Sequence, residues 1–112
     1  MAKKNEPVRA RAALEKLVGP LTFGSHVRAI REGEGESLAE FAAELGVSRQ
    51  HLSDVEHDRR GVSVERAAAW AEVLGYHAGQ FIQLALDAQI RAAKLPFVVK
   101  VESRPGGKRR AA

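Results

Sequence analysis

The sequence predicts an all-α fold: five helices over residues 21–94, preceded by a basic arm (1–20) and followed by one β-strand (95–103) and a basic tail (104–112). Three observations lead there. Apolar residues recur at helical spacing from Thr22 to Lys94, and each break in that pattern holds a residue that starts or stops a helix. One segment alone, LPFVVKVES, alternates with a period of two.

Each helix has its own local signals. Thr22 is placed to cap the first, which runs to about Arg31 and ends in the turn EGEGE. Ser37 caps the second, and Glu40 three residues on completes a capping box, in which hydroxyl and carboxylate satisfy each other's free amides. Gly46 stops that helix, Ser48 starts the third, Ser63 starts the fourth and Gly75 ends it. A fifth begins near His77 or Ala78. Ahead of them all, Ala10 to Val18 forms a weaker amphipathic turn or two, ended by Gly19-Pro20. The tail RPGGKRRAA has the composition of a disordered segment.

The fifth helix carries more apolar surface than its own fold needs. Phe81, Leu84, Ala85, Ala88 and Ala92 form one stripe, and Ile82, Leu86, Ile90 and Ala93 form a second well around the barrel. The strand that follows sets Phe97, Val99 and Val101 on one face and leaves its backbone without a partner in the chain. Both features predict a homodimer whose interface is Ile82, Leu86, Ile90, Phe97, Val99 and Val101, with the strand paired across a two-fold axis. The competing expectation is that Leu14, Leu17 and Val18 fold back over the second stripe.

Composition removes several classes of function. With no cysteine, no disulfide framework or thiolate metal site exists, which suits a cytoplasmic protein. No apolar run is long enough to span a membrane, and Lys3 and Lys4 precede no signal-like segment. His26, His51, His57 and His77 are scattered without metal-ligand spacing, and neither a phosphate-cradling glycine loop nor a nucleophile triad is present. Neither a cofactor nor enzymatic activity is expected. The net charge is +4, yet residues 1–16 hold +3 and 103–112 hold +4, so residues 17–102 are net −3. Any affinity for nucleic acid must therefore come from a local basic patch with help from the tails.

Such a patch falls within LAEFAAELGVSRQHLSDVEH (38–57). Ala42 is small where two helices cross, Gly46 permits a left-handed turn, and Val47, Leu52 and Val55 point inward. With LTFGSHVRAIRE before it and RAAAWAEVLG after it, this stretch resembles the Xre/Cro family of helix-turn-helix repressors over roughly residues 21–86. The inward set leaves Gln50, Ser53, Asp54 and His57 on the outer face of the third helix, with Arg49 and His51 on its flanks.

The resemblance implies a repressor-like domain that inserts helix 48–57 into the major groove of double-stranded DNA, N-terminus first. Arg49 and Gln50 would then reach base edges, Arg suiting guanine and Gln adenine, with Ser53 and Asp54 beside them. Asp54 is open to three roles: accepting from cytosine, orienting Arg49, or repelling phosphate. Ser37, Ser48 and His51, with Arg59 and Arg60 in the following loop, are the candidate phosphate contacts. The family's structural ion pair maps onto Arg31 and Glu56. Asp58 departs from the pattern, since a glycine is common there, which puts a close approach of that loop to DNA in doubt. The alternative reading is an antitoxin of the same fold that grips a toxin protein by its C-terminal region through strand addition.

Overall fold

The structure, a computed structural model, describes residues 21–105. Five helices follow in order: α1 (Phe23–Gly33), α2 (Leu38–Leu45), α3 (Arg49–Glu56), α4 (Val64–Leu74) and α5 (Ala78–Ala92). The amphipathic segment 10–18, the basic arm and all but the start of the basic tail lie outside the described residues.

Local chemistry accounts for the boundaries. The side chains of Thr22, Ser37, Ser48 and Ser63 each accept from the amide three residues on, at the first turn of α1, α2, α3 and α4. Each such cap contributes about 1 kcal/mol. Ser37 and Glu40 form the reciprocal box, as do Thr22 and Ser25. Gly46 closes α2 at φ 76°, a left-handed turn that a residue with a Cβ adopts only under strain, and so sends the chain directly into α3.

The core is one cluster. Phe41 and Ala42 of α2, Leu52 and Val55 of α3, Ala67 and Trp70 of α4, and Phe81, Leu84 and Ala85 of α5 are all buried around Phe23 and Val27 of α1. Aromatic edges organise the centre: Phe23 meets Phe81 edge-on at 5.8 Å and Trp70 at 6.1 Å. Against this core α1 packs on α3, α2 on α3, and α4 on α5.

Gly24 makes the contact between α1 and α3 possible. A Cβ there would meet the Val55 carbonyl oxygen at 2.2 Å, Asp58 Oδ1 at 2.6 Å and the Glu56 carbonyl oxygen at 3.0 Å. Only a bare backbone lets the start of α1 lie on the end of α3.

The expected C-terminal strand is corrected. Residues 95–103 contain no strand, and none occurs elsewhere among the described residues. After α5, Lys94 takes a left-handed φ of 58°, the chain reverses, and the Val101 amide donates to Gln83 Oε1 at 3.0 Å. A ladder needs a second backbone, and this segment meets a glutamine side chain instead. It is a strap returning along α5. Val99 and Val101 are half-buried on it, whereas Leu95, Phe97 and Val98 are exposed, Val98 at 91%.

Candidate nucleic-acid interface

The outer face of α3 is presented by two buried neighbours on its inner face. Leu52 and Val55 are fully buried, so the helix cannot roll, and Arg49 and Gln50 at its start are exposed while Ser53 and Asp54 are half-buried. The far end is clamped by charge. Arg31 donates to Glu56 through Nε at 2.7 Å and through Nη2 at 3.0 Å, and its Nη1 donates to the Glu36 carbonyl oxygen at 3.0 Å. The Glu56 side chain is 1% exposed and that of Arg31 15%. Its hydrogen bond to Glu56 holds the Arg31 guanidinium above its ordinary pKa. One residue thus ties together α1, the turn before α2, and the end of α3.

A second clamp comes from Asp58, just past α3. It sits at φ 58°, a left-handed position that aspartate tolerates better than most residues. Its carboxylate accepts from the Thr22 hydroxyl at 2.8 Å and from the Gly24 amide at 3.2 Å. An anion at the start of α1 is favoured by the helix dipole. The departure from glycine at this position has a structural use: Asp58 caps α1 and holds the loop that carries Arg59 and Arg60.

Asp54 does not pair with Arg49. It accepts from Arg59 through Nη2 at 2.9 Å and Nε at 3.1 Å, and from Gln50 Nε2 at 3.0 Å. The Arg59 and then the Gln50 hydrogen bonds hold its carboxyl below the ordinary range. Two candidate DNA contacts, Gln50 and Arg59, are therefore both engaged by the Asp54 carboxylate. Arg49 and Arg60, in contrast, have no hydrogen-bond or ion-pair partner among the described residues.

His51 faces sideways. Its Nε2 lies 3.3 Å from Arg66 Nη1, and because a guanidinium only donates, Nε2 must accept and the ring proton sits on Nδ1. Burial, then Arg60 and Arg66, push its pKa down, so the ring is neutral at physiological pH. Its ring also packs against Trp70 at 6.4 Å. The charge at this flank belongs to Arg60 and Arg66. Arg66, on α4, is 15 residues away in sequence and could not be assigned to this surface from spacing.

The two capping serines differ in surroundings. Ser48 accepts from the His51 amide at 3.0 Å, which leaves its hydroxyl proton free to donate beside Arg49. Ser37 sits between Glu36 and Glu40, and its own amide is taken by the Glu40 carboxylate at 2.9 Å. Glu34, Glu36 and Glu44 gather carboxylate oxygens within 4.8 Å of one another nearby, a cluster not evident from spacing. Burial and then Glu44, Glu34 and Glu40 raise the Glu36 pKa. A phosphate would be repelled at the start of α2 and accepted at the start of α3.

Of the residues assigned to a dimer interface, Ile82, Leu86, Ile90, Val99 and Val101 are half-buried and Phe97 is 68% exposed. No helix among the described residues is long and apolar enough to cross a membrane.

Compared with known proteins, residues 27–81 match the helix-turn-helix family model. Neither a curated protein nor a solved structure matches the chain. The matched span runs from the middle of α1 to the first turn of α5 and so contains every side chain described above on the α3 surface.

Proposed function

From the match of residues 27–81 to the helix-turn-helix family model, we propose that the chain is a sequence-specific DNA-binding repressor that binds its operator as a homodimer. The observation that carries the reading is the asymmetry of α3: a free Arg49 at an exposed helix start, between Ser48 and Gln50, on a helix locked from behind by Leu52, Val55 and the Arg31–Glu56 pair. Arg49 reads a guanine edge in the major groove, a contact contributing about 1–3 kcal/mol of discrimination. Gln50, Ser53 and Asp54 read beside it. Ser48, Arg59, Arg60 and, from α4, Arg66 hold phosphates, with His51 positioning Arg66 and Ser37 contributing least.

Dimerisation sets the spacing of two such helices at about 34 Å, one turn of the duplex. The interface rests on the exposed Leu95, Phe97 and Val98 with the second α5 stripe of Ile82, Leu86 and Ile90, joined by side-chain packing and not by strand pairing. Occupying a promoter would then exclude polymerase. Capture of a toxin by strand addition has less to rest on, since Gln83 already takes the Val101 amide.

The test is a pair of single substitutions on a selected operator duplex. Arg49→Ala should flatten preference at one base pair of each half-site, while Arg60→Ala should weaken all sequences alike and lower the salt slope by about 1. If Arg49→Ala leaves sequence preference intact, the assignment of α3 is wrong.

A further inference from the structure

Gln50 stands at the exposed start of α3, yet its amide is not free to turn. Its Nε2 donates at 3.0 Å to Oδ1 of Asp54, one helical turn on. A carboxylate only accepts, so the amide nitrogen must face Asp54 and Oε1 must point away from it. On an open helix surface such a pair holds weakly by itself. Here the carboxylate is fixed in turn. Arg59 grips the same oxygen through Nη2 at 2.9 Å and Nε at 3.1 Å, and the loop that carries Arg59 is tied to the start of α1 by Asp58, through Thr22 and Gly24. Arg59 still keeps Nη1 for a phosphate. Oδ2 of Asp54 takes no hydrogen bond from the described residues.

We propose that Asp54 is a specificity-determining positioning residue, which fixes the Gln50 amide so that it accepts adenine and rejects guanine. The inference rests on the reading of α3 as the recognition helix. With one Nε2 hydrogen on Asp54, the amide keeps Oε1 and its second hydrogen for a base. Adenine offers the N6 amine as donor and N7 as acceptor, which match that edge. Guanine sets O6 where the amine would be, so Oε1 meets a second acceptor. An amide released from Asp54 turns over about its last torsion, presents its nitrogen to guanine O6 and loses the distinction. Asp54 thus acts on the base through Gln50, and Arg59 holds Asp54 still.

Selection of bound sequences from random duplex DNA at fixed salt, with the full chain and its variants, reads the effect. Gln50→Ala marks the base pair that Gln50 contacts, and Arg49→Ala the one that Arg49 contacts. In the parent chain adenine should exceed guanine at the Gln50 position by about tenfold, within the range of one bidentate contact. Asp54→Ala should reduce that ratio to about threefold or less, what one unoriented hydrogen bond leaves. It should not change the Arg49 position, and in the Gln50→Ala background it should have no further effect on preference. An unchanged ratio, or a base other than adenine preferred there, would overturn the proposal. So would a change at a third base pair, which would give Asp54 a base contact of its own through Oδ2, and so would an equal loss at every position, which would make Asp54 only a support of α3. If Gln50→Ala alters no position, Gln50 reads no base and the proposal is wrong, while the Arg49 position still stands for α3. The reading of α3 itself fails only when Arg49→Ala also leaves every position as it was.

Discussion

Removing the carboxylate of Glu56 should cost this domain much of its stability, and removing its partner as well should return most of it. In Glu56→Met the Arg31 guanidinium, 15% exposed, loses both of its bonds to the carboxylate and keeps only the Glu36 carbonyl. Breaking a buried pair from one side costs about 3–5 kcal/mol, and the partial exposure of Arg31 places the loss near the lower end. A domain of this size has only about 5–15 kcal/mol in hand, and each kilocalorie lowers Tm by roughly 4–8 °C. A fall of at least about 12 °C follows. The double variant Arg31→Met/Glu56→Met removes both charges and refills the space, leaving chiefly the Glu36 carbonyl short of a donor, at about 1–3 kcal/mol. Urea melts followed by circular dichroism measure the four species of the cycle: the parent chain, Glu56→Met, Arg31→Met and the double variant. The coupling energy should be about 2 kcal/mol or more. If the double variant instead loses the sum of the two single costs, the pair is not the clamp described, and α3 is held by its apolar contacts alone.

Gly24→Ala should cost about 1–3 kcal/mol in the same melts, since its Cβ would press on the Val55 backbone carbonyl, which cannot rotate away; a neutral result would mean that α1 and α3 do not meet there. Asp54→Ala removes the acceptor and frees Arg59 and Gln50, and binding to random duplex should strengthen with a salt slope steeper by up to about 1; unchanged binding would show that Arg59 contacts no phosphate. The third expectation concerns pH. The His51 pKa is lowered in the fold, so the unfolded chain binds the extra proton first, and stability, full above the ordinary value of 6.5, falls as pH drops below it. His51→Gln, which keeps an acceptor for Arg66, should flatten that limb of the stability–pH curve; an identical curve would remove His51 as its source.

Much of this fold was legible because its signals are local. Thr22, Ser37, Ser48 and Ser63 act on amides three residues away, and Gly46 and Gly75 act through their own φ, so each boundary is written next to where it falls. The strand was misread for the converse reason. Alternation of Phe97, Val99 and Val101 reports a two-sided extended segment, but only a neighbouring backbone makes it a strand, and within the chain the Val101 amide meets the Gln83 side chain instead. The α3 surface divides along the same line. Which residues face outward follows from helical spacing, whereas the partners of Asp54 and His51 depend on how the loop at Arg59 and the helix bearing Arg66 fold back. Asp58 looked like a defect beside α3 because its partners, Thr22 and Gly24, lie more than thirty residues earlier.

In the proposed dimer the exposed start of α3 reads DNA in duplicate. Selection of bound sequences from random duplex DNA at fixed salt, using the full chain, tests it most directly. Two inverted half-sites with centres about 10–10.5 base pairs apart, each with a conserved guanine, are predicted. Enrichment of a lone half-site would contradict the dimer, and no enrichment at all would contradict the reading of α3 as a recognition helix.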